Sequence, residues 1–189
     1  MSFSFYKQAF SKVPLLLLGG VLSAIFGLLT QIILARELTP TGYGDFSAAF
    51  ATVTLLSPLA VFGIQHSWLK LYGAEGSEAS RWIPASFKFL FGALLLTFTS
   101  ITLWAFLGPH SSQFSLILLL LLPLVVSYVF IELVNVRFQI EEKYSALTLW
   151  QLLPHLLRFL FVGIFVLLVF KETKVLNIAL GYSTLAVFL

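Results

Sequence analysis

Two charged residues sit inside long apolar runs with no opposite charge nearby in sequence: Glu132, within Phe114 to Val136, and Arg158, within Leu147 to Phe170. An ionised side chain near the centre of a hydrocarbon layer costs about 2.5–3.5 kcal/mol, so each requires a partner, water or a function. Tyr128, Glu132, Asn135 and Gln139 follow at steps of 4, 3 and 4, which places them on one helical face. Gln151, His155 and Arg158 step by 4 and 3 and share a face of the next helix. Two chemistries fit this pattern. Glu132 and Arg158 can pair across a hairpin, with Tyr128, Asn135 and Gln151 completing an intramembrane polar network. Alternatively, His155 and Arg158 line a wet cavity that attracts an anionic head group.

Other chemistries lack their residues. The chain has no His-Glu-x-x-His, no Gly-x-x-x-x-Gly-Lys, no Gly-x-Ser-x-Gly and no Asp-x-Asp. His66, His110 and His155 are widely spaced and there is no cysteine, so neither a metal nor a cofactor is expected. The longest connection between apolar runs is about 18 residues, too short for a soluble catalytic domain, and an enzyme is not expected. The net charge of +3 is spread over the connections without a dense basic run, which leaves nucleic acid binding unsupported.

The elements that carry these residues follow from composition. Of the chain's residues 59% are hydrophobic and 10% charged, and the mean hydropathy is +1.00, where soluble domains carry about a quarter charged residues. This predicts an all-α polytopic membrane bundle. Val13 to Leu34 and Phe46 to Ile64 contain 22 and 19 uncharged residues, enough for helices to cross about 30 Å of hydrocarbon. Between them lies a polar turn in which Pro40, Gly42 and Gly44 break the helix, and Arg36 falls on the last turn of the first helix, where a cation is favoured. Helices are expected from Pro84 to Leu107, Phe114 to Val136 and Leu147 to Phe170, and a sixth run from Val175 to Leu189 is shorter than a span requires.

Residues Met1 to Lys12, rich in phenylalanine with Lys7 and Lys12, are expected to lie in the headgroup region, with the first helix starting at Pro14. Gly19, Ser23, Gly27, Gln31 and Ala35 form a small-residue stripe for close helix packing. Pro58, Pro123 and Pro154 lie inside expected spans and are hinge candidates. A cytoplasmic N-terminus would put seven basic residues inside and Arg36, Lys171 and Lys174 outside, which favours that orientation. The four tryptophans, Trp68, Trp82, Trp104 and Trp150, fall at expected helix ends.

Three stretches carry a family resemblance. Leu34-Ala-Arg-Glu-Leu-Thr-Pro-Thr-Gly-Tyr-Gly-Asp-Phe46 is similar to the turn after helix one of polysaccharide or O-antigen flippases of the Wzx type. These belong to the multidrug/oligosaccharidyl-lipid/polysaccharide exporter superfamily. Pro58-Leu-Ala-Val-Phe-Gly-Ile64 resembles their second helix, and Arg137-Phe-Gln-Ile-Glu-Glu-Lys-Tyr-Ser145 resembles their loop after helix four; Thr39 stands where the family usually has glycine.

The resemblance implies most of the N-terminal lobe of a larger transporter, one membrane domain over residues 1–189, in a bacterial or archaeal inner membrane and serving O-antigen, lipopolysaccharide or other polysaccharide biosynthesis. It implies alternating access, with a polyprenyl diphosphate sugar crossing a cationic cavity, and membrane lipid, a C-terminal lobe or glycan-assembly proteins as partners. Arg36, His155 and Arg158 are the candidate anion contacts. Other readings are a multidrug exporter of the same superfamily, a membrane polysaccharide polymerase or ligase, and a non-transporting scaffold. The family's multidrug exporters tend to carry a carboxylate in helix one, which Val13 to Leu34 lacks. A polymerase or ligase would want a large outer loop.

Overall fold

A computed structural model describes the backbone of residues 3–168 and 175–188, and the side chains of 13–166 and 175–187. All the described secondary structure is helical. In order it comprises α1 (Phe3–Glu37), α2 (Pro40–Val61), α3 (Ile64–Glu75), a 3-10 helix (Gly76–Trp82), α4 (Ile83–Leu107), α5 (Ser112–Leu120), α6 (Pro123–Ile140), α7 (Tyr144–Leu168) and α8 (Val175–Phe188). Four continuous helical stretches are long and apolar enough to cross a membrane: Val13–Glu37, Pro40–Leu107, Ser112–Ile140 and Tyr144–Val166. The second folds back on itself, because α2 packs along α4.

The expected turn at Leu34 to Phe46 is two residues of break inside a helical hairpin. Thr39 caps α2, its Oγ1 accepting from the Gly42 amide at 3.2 Å, and Pro40 occupies the first turn, where no amide donor is required. A hydroxyl that satisfies an orphan amide explains why threonine serves here. Leu34, Leu38, Gly42 and Phe46 turn inward at four-residue steps, and a β-carbon on Gly42 would run into Val175 of α8.

Several expected boundaries shift. The helix does not begin at Pro14: α1 runs unbroken from Phe3 through it, so residues 3–12 are part of the first helix. The side chains of Lys7 and Lys12, and the turn with Lys171, Glu172 and Lys174, lie outside the described residues. Residues 70–82, in the connection expected as a loop between the second and third helices, are helical instead. The chain breaks at Phe62 and Gly63, both with positive φ (45° and 78°), and restarts as α3, whose half-buried Trp68, Leu69 and Tyr72 share one side. Helix four is divided at Pro123 into α5 and α6, with three-residue hydrogen bonds from Leu124 to Leu121 and from Val125 to Leu122 tightening the junction.

The small-residue stripe of α1 is used for close packing, and its neighbour is α7. A β-carbon on Gly19 would collide with Thr148, Gly27 lies 3.7 Å from His155 Nδ1 by the same construction, and the Phe26 and Phe159 rings are 5.4 Å apart. Positions rise together along both helices, so α1 and α7 run in the same direction. The core is gathered around α8, which presents Val175, Ile178, Ala179, Tyr182 and Ala186 to α2, α5, α6 and α7.

Candidate functional site

The expected ion pair between Glu132 and Arg158 does not form. Among the described residues the ion pairs are Arg81 to Glu75 (3.0 Å), Arg137 to Glu141 (2.9 Å) and Lys143 to Glu141 (2.7 Å). The cause is register. The tight turn at Glu141–Lys143 returns the chain antiparallel, and Trp150 Nε1 donates to the Ile131 carbonyl at 3.4 Å, so residues near 150 stand beside Glu132. Arg158 is a further eight residues along α7, about 12 Å at 1.5 Å per residue. Its side chain also leaves from the face that meets α2 and α8.

There it lies between two rings. The Arg158 guanidinium carbon is 5.6 Å from the centre of Phe50 on α2 and 5.9 Å from that of Tyr182 on α8. Phe46 anchors both rings: it stacks on Phe50 at 5.9 Å and meets Tyr182 edge-on at 5.2 Å. The polar turn thus reaches Arg158 through Phe46. Cation–ring contacts contribute about 0.5 kcal/mol at exposed sites and about 2 kcal/mol when desolvated, so the two rings offset a large part of the about 2.5–3.5 kcal/mol that an intramembrane charge costs. Arg158 has no carboxylate partner among the described residues, so its N–H donors are available to an anion placed beside it.

The other candidates divide between this centre and other places. His155, one turn before Arg158, packs beside Gly27 of α1. Arg36 is exposed at the end of α1 and makes no ion pair or hydrogen bond among the described residues, so it does not join His155 and Arg158. On α6, Asn135 Nδ2 donates a long 3.5 Å hydrogen bond to Glu132 Oε1, and Tyr128 interacts electrostatically with the same carboxylate. Gln151 does not complete this network: half-buried on α7, it makes no hydrogen bond to any of them. Its place is taken by His66 of α3, which faces Glu132 electrostatically.

Of the proline candidates, Pro123 starts α6 at a break and Pro58 lies four residues before the break at Phe62, whereas Pro154 sits within an uninterrupted α7. Three residues were missed. Phe50 and Tyr182 read as apolar filling, and no spacing rule links them to Arg158. His66 was visible in outline, since the end of helix two and the later half of helix four lie on the same side of an antiparallel bundle. Outside the spans, hydrogen bonds from Lys143 and Arg137 hold the Glu141 carboxyl below the usual carboxylate range.

No match was found among curated proteins or among solved structures. A family model described as "Polysaccharide biosynthesis protein" matches residues 10–189, nearly the whole chain. An apolar helical bundle with a turn motif, an aromatic-flanked intramembrane arginine and this match lead to one statement: the chain belongs to the polysaccharide biosynthesis protein family, the family of Wzx-type flippases.

Proposed function

We propose that this chain is the N-terminal lobe of a flippase that moves a lipid-linked oligosaccharide outward across the plasma membrane by alternating access. The observation that carries this reading is Arg158, a guanidinium between Phe50 and Tyr182 in the interior of an apolar bundle without a carboxylate partner among the described residues. A diphosphate linking a polyprenyl chain to a sugar supplies the missing anion, and arginine binds phosphate oxygens in pairs. His155 adds a second polar contact one turn away, while exposed Arg36 meets the head group only at the membrane surface. The breaks at Phe62–Gly63 and before Pro123 are the positions where helices can hinge. The topology proposed is six crossings with a cytoplasmic N-terminus. The parallel packing of α1 with α7 fits the crossing count, since an odd number of crossings must separate two helices of the same direction, and α2, α4 and α5–α6 supply three.

The test reconstitutes the protein in vesicles. It follows binding and then translocation of a polyprenyl diphosphate oligosaccharide for the wild type, Arg158→Ala and Arg158→Lys. Loss of both with alanine and partial recovery with lysine is expected. Unchanged binding in Arg158→Ala would remove Arg158 from the path.

A further inference from the structure

At the end of the bundle that carries α3 and the α6–α7 turn, a cavity of about 450 Å³ opens between α3, α4 and α6. Trp68, Tyr72, Phe87 and Phe130 line its wall, with Arg137 and Glu141 at its polar end. Trp68 is fixed there by a 3.0 Å hydrogen bond to Ser86 Oγ and by an edge contact with Phe87 at 6.0 Å. Phe87 and Phe130 remain 50% and 56% exposed in an otherwise packed region, so the bundle does not fill the space itself. A second cavity, of about 230 Å³, shares Phe87, Phe130 and Leu133 and extends the groove along the α4–α6 seam toward Leu94 and Val126.

We infer that this groove holds one acyl chain of a phosphatidylethanolamine, with the lipid's phosphate on Arg137 and its ammonium on Glu141. Three observations commit the site to that occupant. First, depth: from Glu141 to Phe130, the extent of the larger cavity on α6, is eleven residues of helix, roughly 16 Å, close to the half-thickness of a hydrocarbon core about 30 Å thick. Second, chemistry changes along it, from aromatic and aliphatic walls to Glu141 with its two basic partners at the end where Trp68 and Tyr72 mark the interface. Third, both charges retain capacity. Arg137 engages Glu141 through Nε, leaving its two terminal nitrogens to donate to a phosphate. The Glu141 carboxylate accepts from Arg137 and Lys143 and has lone pairs for a third donor.

A head group carrying both an ammonium with N–H donors and a phosphate complements this pair. Phosphatidylcholine lacks the donors, and phosphatidylglycerol carries the phosphate but has no ammonium for Glu141. The inference is independent of the transport reading, which concerns Arg158 beside Phe50 and Tyr182, none of which lines the groove.

The test uses the chain in phosphatidylcholine vesicles containing graded fractions of phosphatidylethanolamine or phosphatidylglycerol with brominated acyl chains, which quench tryptophan at contact. With Trp82, Trp104 and Trp150 replaced by phenylalanine, Trp68 is the reporter. Phosphatidylethanolamine should half-quench it at a mole fraction about three- to ten-fold lower than either other lipid, and Glu141→Gln should abolish that preference. Native mass spectrometry of the unmodified chain, which depends on no substitution, should retain one phosphatidylethanolamine and lose it in Arg137→Gln. Equal quenching by all three lipids, a preference for phosphatidylglycerol, or no retained lipid would each overturn the proposal.

Discussion

The bundle keeps a carboxylate and a guanidinium in its interior by opposite means. Around Glu132 the neighbours are polar: Asn135 donates to it, and Tyr128 and His66 face it, so the charge is supplied with dipoles from its own helix and from α3. Around Arg158 they are aromatic: Phe50 and Tyr182 flank the guanidinium, and Tyr182 is only 2% exposed. The first charge has one hydrogen-bond donor within the protein, a long one at 3.5 Å. The second has two rings and no carboxylate among the described residues. An intramembrane charge that the fold leaves unanswered marks a ligand position better than one it has already solvated.

The largest effect should come from dismantling the aromatic side. Tyr182→Ala removes a buried ring from between α2, α7 and α8 and should destabilise the protein by about 3–5 kcal/mol, read as loss of thermal stability in detergent. Tyr128→Ala, at a half-buried position beside Glu132, should cost clearly less. Equal losses would erase the distinction between the two regions.

Next is the scaffold that positions α7. Gly19→Val drives a side chain into Thr148 and should cost about 1–3 kcal/mol, whereas a β-carbon on Gly20 meets nothing within 4 Å, so Gly20→Val should be near neutral. Matching losses at the two glycines would show that α1 does not rest on α7 through this stripe.

A smaller change is expected at the carboxylate. Glu132→Gln keeps the shape and removes the charge, so insertion should improve or stay the same, and binding of a diphosphate-linked glycan should change by less than about two-fold. A large loss of binding would move the functional centre toward α6.

The smallest concerns the surface turn. The Glu141 carboxyl is held below its ordinary range by Lys143 and Arg137, so its contribution is present at neutral pH and fades as acid protonates it. Thermal melting of wild type and Glu141→Gln should therefore differ slightly at pH 7 and converge as pH falls below the carboxylate range. A gap that widened in acid would contradict that sign.

Much of this was legible in residues whose effect is local. Apolar length located the helices, Pro40 located the turn although Gly42 and Gly44, expected to break the helix with it, lie within α2, and the spacing of Gly19, Ser23 and Gly27 marked a close-packing face. What escaped depends on register and on partners distant in the chain. The ion pair of Glu132 with Arg158 was expected from two facing stripes, but the length of the α6–α7 turn offsets them by eight residues. Trp68 was expected at the end of helix two and Tyr72 in the connection after it, because no breaker had been recognised at Phe62, where a bulky residue adopts positive φ. Tyr182 gained its role from a run too short to be counted as a full span, which packs at the centre of the described bundle.

The central claim is tested most directly by comparing the affinity of one polyprenyl diphosphate sugar for the wild type, Arg158→Gln and Glu132→Gln in the same vesicles. The account predicts a loss of about 10- to 150-fold for Arg158→Gln, the worth of a charged hydrogen bond, and almost none for Glu132→Gln. Equal affinities for the wild type and Arg158→Gln, or a greater loss at Glu132, would contradict it.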